Sequence, residues 1–428
     1  MSASAAAAAG RKFNVDLIWN LASLAVLGVS GALINLLIAR YLDQAALGVF
    51  NQVFAIYIVL SQIAVGGVHL SVLMHVSYNQ ADRRARSQIT CAGLLLAGGL
   101  SLVVCGAAAA LHGVTAAVLN SPDVGRGLLL TIPGLLLFSL NKVLMNTLNG
   151  VSHMRAYALF QALRVLMIVA GIAAVIALRW PTVWLAASLS VAEAALFVGV
   201  AAYVQARVCP IVSFEAQRTW IGRHFSYGLR GLLAGVFTEL NTRVDILLLG
   251  LFLADDGPVG VYSFAAILAE GFSQLPLVIR RNVDPPLGRH FAEGRTDDIA
   301  RDLARVKRLS LLMMLVIGVA AVALYLPAVR LLVPDRGFES SWPPFAILMA
   351  GIIVNAYYKP FQGIVLQGGR PGVFTGMVAI VVAANALLNA ALIPVLGIAG
   401  SAAGTAIAYG VEAGLIVYYA RKLFGVKL

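Results

Sequence analysis

Charged side chains in otherwise apolar runs are the residues of this sequence best placed to do chemistry. Lys142, Arg164, Arg230, Arg243 and Lys359, with Asp16, Glu193, Glu239, Asp245, Glu270 and Glu412, all fall in stretches long enough to cross a bilayer. Insertion scales put the cost of an Arg, Lys or Asp at mid-membrane at roughly 2.5–3.5 kcal/mol. Several such costs in one chain imply an interior that is hydrated or internally paired. The densest stretch is SYGLRGLLAGVFTELNTRVDILLLGLF, residues 226–252. On a continuous helix Glu239 and Arg243 share one face, while Thr238, Asn241 and Asp245 share roughly the opposite one. A helix polar on two faces cannot lie against lipid on either, so it is expected at the centre of the protein, with one face toward a cavity.

Two chemistries fit these residues. Arg243 either forms a structural ion pair with Glu239, or joins Arg230 in providing positive potential for an anionic group such as a diphosphate, which guanidinium binds bidentately. Glu239, Asp245 and Glu270 are candidate proton or sodium sites, because carboxylates inside membranes serve ion pathways. Asp16, Asn20, Ser23 and Ser30 form one stripe on the first apolar run, interrupted only by Leu27. Such a stripe either bonds a neighbouring helix or faces a central aqueous cleft. Lys359, in NAYYKPFQGIVLQGGRPG, is expected to be structural and to snorkel toward the inner face beside Tyr357 and Tyr358. His69 and His75 are six apart, on different helical faces, and Cys91, Cys105 and Cys209 are scattered, so no metal site or disulfide framework is expected.

The elements that must position these groups are transmembrane helices. The chain has 428 residues, of which 60% are hydrophobic and 12% charged, with a mean hydropathy of +0.89. That is more apolar surface than a soluble domain of this length buries. About twelve runs suit helices across a core of roughly 30 Å: 15–39, 46–77, 89–111, 127–148, 157–178, 182–204, 226–252, 260–279, 309–331, 344–366, 372–393 and 397–420. The short alternating segments of a membrane β-barrel are not seen.

Of the basic residues flanking these runs, 21 fall on the side of the N-terminus and 5 on the other, which places both termini in the cytoplasm. The net charge of +12 is thus mainly a topology signal and gives no reason to expect nucleic acid. Residues 1–14 are expected to be a disordered cytoplasmic tail, because Arg11 and Lys12 follow the alanine run instead of preceding it as in a cleaved signal peptide.

Shifting the chain by 212 positions aligns LDQAALGVF, residues 42–50, with ADDGPVGVY, residues 254–262: Asp43 with Asp255, Gly48 with Gly260, Val49 with Val261 and Phe50 with Tyr262. Six runs separate the copies, so the halves are parallel repeats about an axis along the membrane normal. Each copy reads as a tight external turn whose glycine permits close approach. The expected divisions are a six-helix lobe over 15–204, a cytoplasmic linker over 205–225, a second six-helix lobe over 226–420 and a cytoplasmic tail over 421–428. The linker mixes Trp220, Ile221 and Phe225 with Arg218 and Arg223, as suits an interfacial segment. Within 284–308, Ile299, Leu303, Val306 and Leu309 recur at helical spacing, with Asp297 and Asp298 opening that helix and Arg305, Lys307 and Arg308 closing it. Pro133, Pro276, Pro327 and Pro360 are expected to bend their helices, and GIAGSAAG, residues 397–404, reads as a small-residue packing stripe.

The chain has no GxxxxGK[ST] phosphate loop. It also has no external loop long enough for a catalytic domain and no triad or metal spacing, so an enzyme is not expected.

The segments LLIARYLDQAALGVF, NTRVDILLLGLFLADDGPVGVYSFAAILAEGFSQLP and YYKPFQGIVLQGGRP, with the order of the runs, resemble the polysaccharide transporter branch of the multidrug, oligosaccharidyl-lipid and polysaccharide exporter superfamily, which includes Wzx-type O-antigen flippases. The resemblance implies an all-α polytopic membrane protein: two six-helix lobes in a V around a cavity lined largely by the first two helices of each lobe. It further implies a flippase that moves polyprenyl-diphosphate-linked oligosaccharide units from the inner to the outer leaflet of a bacterial cytoplasmic membrane by alternating access, for surface polysaccharide biosynthesis. No cofactor is implied beyond H+ or Na+ coupling, and the implied partners are the lipid-linked glycan, membrane lipids and polysaccharide polymerase or export proteins. Arg230, Arg243, Asn241, Asp16 and Asn20 then become the candidate cavity residues. The chain departs from that branch in two ways: twelve runs stand where fourteen are frequent, and the seventh run carries nearly as many acids as bases. A cation-coupled drug antiporter of the same fold would instead rely on Asp245 or Glu239, and a lipid II flippase would differ only in cargo. A membrane glycosyltransferase or polymerase would need the external catalytic loop that this chain lacks.

Overall fold

The structure is a computed structural model and describes residues 30–293, 296–426 and 428, with side chains between 296 and 303 left undescribed. Among the described residues every element is helical. Residues 30–41 form α1. There follow α2 (Gln44–Val65), α3 (Val68–Tyr78), α4 (Arg83–Val118), α5 (Pro122–Gly150) and α6 (Met154–Ala177). A 3-10 turn at Thr182–Ala186 leads into α7 (Ala187–Arg207), and the chain continues through α8 (Gln217–Asn241), α9 (Val244–Phe252), α10 (Asp256–Ala292) and α11 (Thr296–Leu332). The last elements are α12 (Trp342–Asn355), a 3-10 turn at Lys359–Phe361, α13 (Ile364–Gln367) and α14 (Pro371–Phe424).

Eight helices among the described residues are long and apolar enough to cross a membrane. Large side chains such as Val103, Val198, Val316 and Leu387 are about 70% exposed, as expected where lipid is the solvent. The expected eleventh and twelfth runs appear as one element, α14, folded back at Gly397, whose φ of 56° and ψ of −133° break the helix three residues after Pro394. The small-residue stripe packs the two arms together: a Cβ on Gly400 would lie 2.2 Å from the Leu392 carbonyl oxygen. Hydrogen bonds also join the arms, from Ser401 Oγ to Asn389 Oδ1 (2.6 Å) and from Thr405 Oγ1 to Asn385 Oδ1 (3.2 Å).

The 212-residue echo has a physical basis at both copies. Helix α2 begins at Gln44 and α10 at Asp256, 212 residues on. Each is capped by the acid before it: Asp43 Oδ1 accepts the Ala46 N–H (2.7 Å) and Asp255 Oδ1 accepts the Gly257 N–H (3.1 Å). The glycine of each copy lies against the first turn of the other helix. A Cβ on Gly48 would stand 2.0 Å from the Asp256 carbonyl oxygen, and one on Gly260 would stand 1.9 Å from that of Gln44. Asp256 adds side-chain bonds from Gln52 (2.6 Å) and Ser121 (2.7 Å). Replacing Asp43 or Asp255 with Ala is expected to lower stability by about 1 kcal/mol each, with Asn restoring most of it; thermal unfolding in detergent measures both.

The described residues cluster into two compact units. Unit 1 holds those up to Leu37, Val53–Val118 and Pro122–Val236; unit 2 holds Ile38–Gln52, Leu119–Ser121 and Phe237–Leu428. Within unit 1 the core is aliphatic, with Leu144, Leu148, Leu196 and Val200 fully buried. Unit 2 has its own core around Phe361, Ile364, Val365 and Ile416.

Two expected segments differ in form. The linker is not distinct from the helix that follows: from Gln217 onward it is the first part of α8, and residues 210–220 are docked on α4. Ser87 donates to the Pro210 carbonyl (2.6 Å), Cys91 to that of Ser213 (3.3 Å), and Arg84 and Gln88 to Glu215 (2.7 and 3.1 Å). The hydrogen bonds from Arg84 and Gln88 lower the pKa of the Glu215 carboxyl. His224 is buried, its Nε2 bonded to the Ile89 carbonyl (3.1 Å) and its Nδ1 facing Ser71 Oγ (2.9 Å). The helix expected to close at Arg305, Lys307 and Arg308 instead runs on to Leu332 without interruption, because the apolar run that follows offers the backbone no reason to leave the helix in lipid.

Candidate functional site

Unit 2 contains a cavity of about 330 Å³, at the small end of ligand sites, which span about 300–1,000 Å³. Its walls come from the start of α2, the end of α8, the start of α9, the first half of α10, the α12–α13 break and both arms of α14. Two interrupted helices build it. Between α8 and α9 the chain leaves the helix at Thr242 and Arg243, Arg243 having φ −132° and ψ −12°. After α12 it turns through residues 356–363, where Pro360 cannot donate to a helical carbonyl. Irregular backbone at membrane depth is tolerated where it lines a cavity, and broken helices of this kind hold the substrate and ion sites of many transporters.

Six charged residues line the cavity: Arg243, Arg280 and Lys359 against Asp245, Glu270 and Glu412. Most are paired. Arg243 Nη1 lies 3.7 Å from Glu270 Oε2. Asp245 is buried, accepting the Tyr262 hydroxyl at 2.5 Å and the Ile246 N–H at 2.9 Å. Glu412 collects four bonds, two from Lys359 Nζ (2.7 and 2.8 Å), one from Asn355 Nδ2 (2.8 Å) and one from Gln362 Nε2 (2.6 Å). The other end of Gln362 accepts from Arg280 Nη1 (2.9 Å), and Arg280 Nε reaches Asp284 Oδ2 (3.3 Å).

Of the residues singled out in the sequence, Arg243, Asn241, Asp245 and Glu270 line this cavity, as does Thr238. The expected pairing of Arg243 with Glu239 is replaced by Arg243 with Glu270. The helix ends at Asn241, so the geometry that would set residues 239 and 243 on one face is interrupted between them, and Arg243 and Asp245 reach the same cavity instead of opposite faces. Glu239 is half-buried on α8 outside the cavity lining; its backbone carbonyl accepts the Thr242 hydroxyl (3.0 Å). Arg230 belongs to unit 1, is exposed and lies near Ser226 (3.5 Å); it does not line the unit 2 cavity. Asp16, Asn20, Ser23 and Leu27 lie outside the described residues.

Lys359 does not snorkel. It is folded into the protein on Glu412, with its side chain 17% exposed. Among the described residues no cluster of His, Cys, Asp and Glu suits a metal ion. Arg280, Asn355 and Gln362 went unrecognised at the sequence level, although Lys-Pro at 359–360 marks the break that gathers them.

Unit 1 holds a related arrangement of its own. Asn141 Nδ2 donates to Glu193 Oε2 (2.8 Å), and Arg164 Nε meets Glu193 Oε1 (2.9 Å). The Arg164 guanidinium also lies over the Phe138 ring (4.9 Å), and Lys142 Nζ lies over the same ring (4.8 Å).

A family model described as polysaccharide biosynthesis protein matches residues 17–279. No curated protein matches the chain in sequence. Among solved structures, it is similar to an inward-facing multidrug resistance MATE family transporter of the MOP superfamily, with a TM-score of 0.79, 11% identity, and coverage of 95% of this chain and 98% of that one. It is similar also to the lipid II flippase MurJ in an inward closed conformation, with a TM-score of 0.74, 13% identity, and coverage of 95% and 88%. A third similar structure is a MOP superfamily transporter from Pyrococcus furiosus described as having a binding pocket of reversed polarity, with a TM-score of 0.62, 13% identity, and coverage of 95% and 94%. At these identities the likeness establishes the fold alone, one shared with multi-pass membrane transporters.

Proposed function

The chain belongs to the polysaccharide biosynthesis protein family, and from that premise we propose that it flips a polyprenyl-diphosphate-linked oligosaccharide across the bacterial inner membrane, by alternating access and with both termini in the cytoplasm. The observation that carries the reading is the unit 2 cavity, where Arg243, Arg280 and Lys359 converge from separate helices. Cations buried together in lipid are costly unless they are paired or serve binding, and guanidinium and ammonium groups are the usual partners of phosphate. The fold shared with the lipid II flippase MurJ supports a lipid-linked cargo.

The test is a deletion strain. Lipid-linked repeat units accumulating on the inner leaflet, with loss of surface polysaccharide, support the reading; normal glycan export contradicts it. In the same strain Arg243→Ala is expected to leave folded yield intact and to lower complementation about tenfold or more, the loss of one charge-assisted phosphate contact. Unchanged export by well-folded Arg243→Ala would take Arg243 out of the site.

A second reading, a cation-coupled drug antiporter, is favoured by the equal number of acids lining the cavity and by the fold shared with a multidrug transporter. It predicts sensitivity to cationic drugs with normal glycan, and Asp245→Asn would then matter more than Arg243→Ala.

A further inference from the structure

The two halves of the chain share a buried motif that the sequence echo does not show. In unit 1, Asn141 on α5 donates to Glu193 on α7; in unit 2, Asn355 on α12 donates to Glu412 on α14, and both bonds measure 2.8 Å. These helices are the fourth and sixth crossings of their halves. Each carboxylate is also paired with a cation, yet the two cations differ in kind and place. Arg164 comes from an intact helix, α6, and its planar fork is held by Glu193 on one side and the Phe138 ring on the other. Arg at a bidentate, stacked site is pre-organised and gives up its partner reluctantly.

Lys359 instead stands on the broken segment after α12, on the wall of the cavity. Lys is a compact charge on a flexible stem. Glu412, moreover, does not depend on it alone: with Lys359 withdrawn, the carboxylate keeps the hydrogen bonds from Asn355 and Gln362. Gln362 links Glu412 to Arg280, the second cation on the same wall. The run Lys359–Glu412–Gln362–Arg280 therefore puts two cations on the cavity wall, the first neutralised by Glu412, a carboxylate also held by neutral donors of its own, and the second 3.3 Å from Asp284.

We infer that Lys359 and Arg280 form a seat for a diphosphate group, occupied in this structure by the Glu412 carboxylate as a resident counter-anion that an incoming diphosphate displaces. The unit 1 pair is the locked counterpart of the same motif. The inference deepens the flippase reading, and rests on it only for the source of the diphosphate; the seat itself rests on the cavity wall.

The test uses the full chain in lipid nanodiscs and two probes, farnesyl diphosphate and inorganic diphosphate, with binding measured by calorimetry. Glu412→Gln removes the competing charge and is expected to tighten binding about tenfold, whereas Lys359→Met weakens it about tenfold or more. Glu193→Gln is expected to leave affinity unchanged. The double variant Lys359→Met with Glu412→Gln leaves no buried charge without its partner, so it keeps the question open to measurement if a single variant does not fold; it is expected to bind as weakly as Lys359→Met. Affinity unaltered in folded Glu412→Gln, or wild-type affinity in the double variant, overturns the seat. If inorganic diphosphate follows the expected pattern and farnesyl diphosphate does not bind, the seat stands and the lipid-linked reading falls. If neither probe responds to the variants, the seat falls whatever the export assay shows.

Discussion

Gly260→Ala is expected to cost about 3 kcal/mol or more and, under the function proposed above, to abolish export, although it adds one methyl group to a helix that would ordinarily welcome it. The added carbon would lie 1.9 Å from the Gln44 carbonyl oxygen and 2.9 Å from the Gly48 nitrogen. Both obstacles are backbone, so no rotamer change relieves them, and α2 and α10 must move apart. That separation opens the reciprocal contact at Gly48 and strains the bonds that Gln52 and Ser121 make to Asp256. Gly48→Ala meets the Asp256 carbonyl in the same way and is expected to match it. The control is Gly106→Ala in α4, where nothing lies within 4 Å of the added carbon and helix propensity favours Ala by roughly 0.5–1 kcal/mol. Melting temperature in detergent and surface polysaccharide in a complemented deletion strain measure the two effects together. A Gly260→Ala protein that melts with the wild type would show that these helices do not pack as closely as the structure has them.

The same contact explains why so much of the fold is legible in the residues. Asp43 and Asp255 cap helices, and Gly48 and Gly260 let those helices touch; each task demands one residue type at one position, so the 212-residue echo equals the offset between the starts of α2 and α10, although the apolar runs read from residues 46 and 260 begin two and four residues later than the helices. The apolar runs are legible because lipid tolerates few polar side chains, and Gly397 with Pro394 marks the fold in α14.

The site is less legible because it is assembled where helices stop being helices. Assigning faces across residues 238–245 assumes a continuous 3.6-residue period, and the turn at Thr242 and Arg243 voids that assumption. Arg243 therefore meets Glu270, 27 residues away, in place of Glu239. Lys359 and Glu412 are 53 positions apart in the chain. Both are recognisable as costly intramembrane charges, but no local pattern says that one neutralises the other. Arg280, ten residues beyond Glu270, stands at the end of its apolar run and reads there as a topology charge; only the fold turns it toward the cavity.

The locked pair in unit 1 carries the second large effect. Glu193→Ala is expected to cost about 3–5 kcal/mol, because it leaves the Arg164 guanidinium buried without a counter-charge. Arg164 is 15% exposed and Glu193 3%, and in lipid there is no water to take the place of the carboxylate. Asn141 would lose its side-chain acceptor, Glu193 Oε2, at the same time and keep only the residue 193 backbone carbonyl. The cost belongs to the broken pair and not to the absence of charge, so Arg164→Met combined with Glu193→Gln is expected to recover most of the stability: the glutamine carbonyl still accepts from Asn141, and methionine still covers the Phe138 ring. A double-mutant cycle on melting temperature reads this directly. Recovery in the double variant, together with normal export, would mark the unit 1 pair as architecture and leave the ionic chemistry of transport to the cavity in unit 2. A double variant no more stable than Glu193→Ala would mean that the charges themselves hold α5, α6 and α7 together.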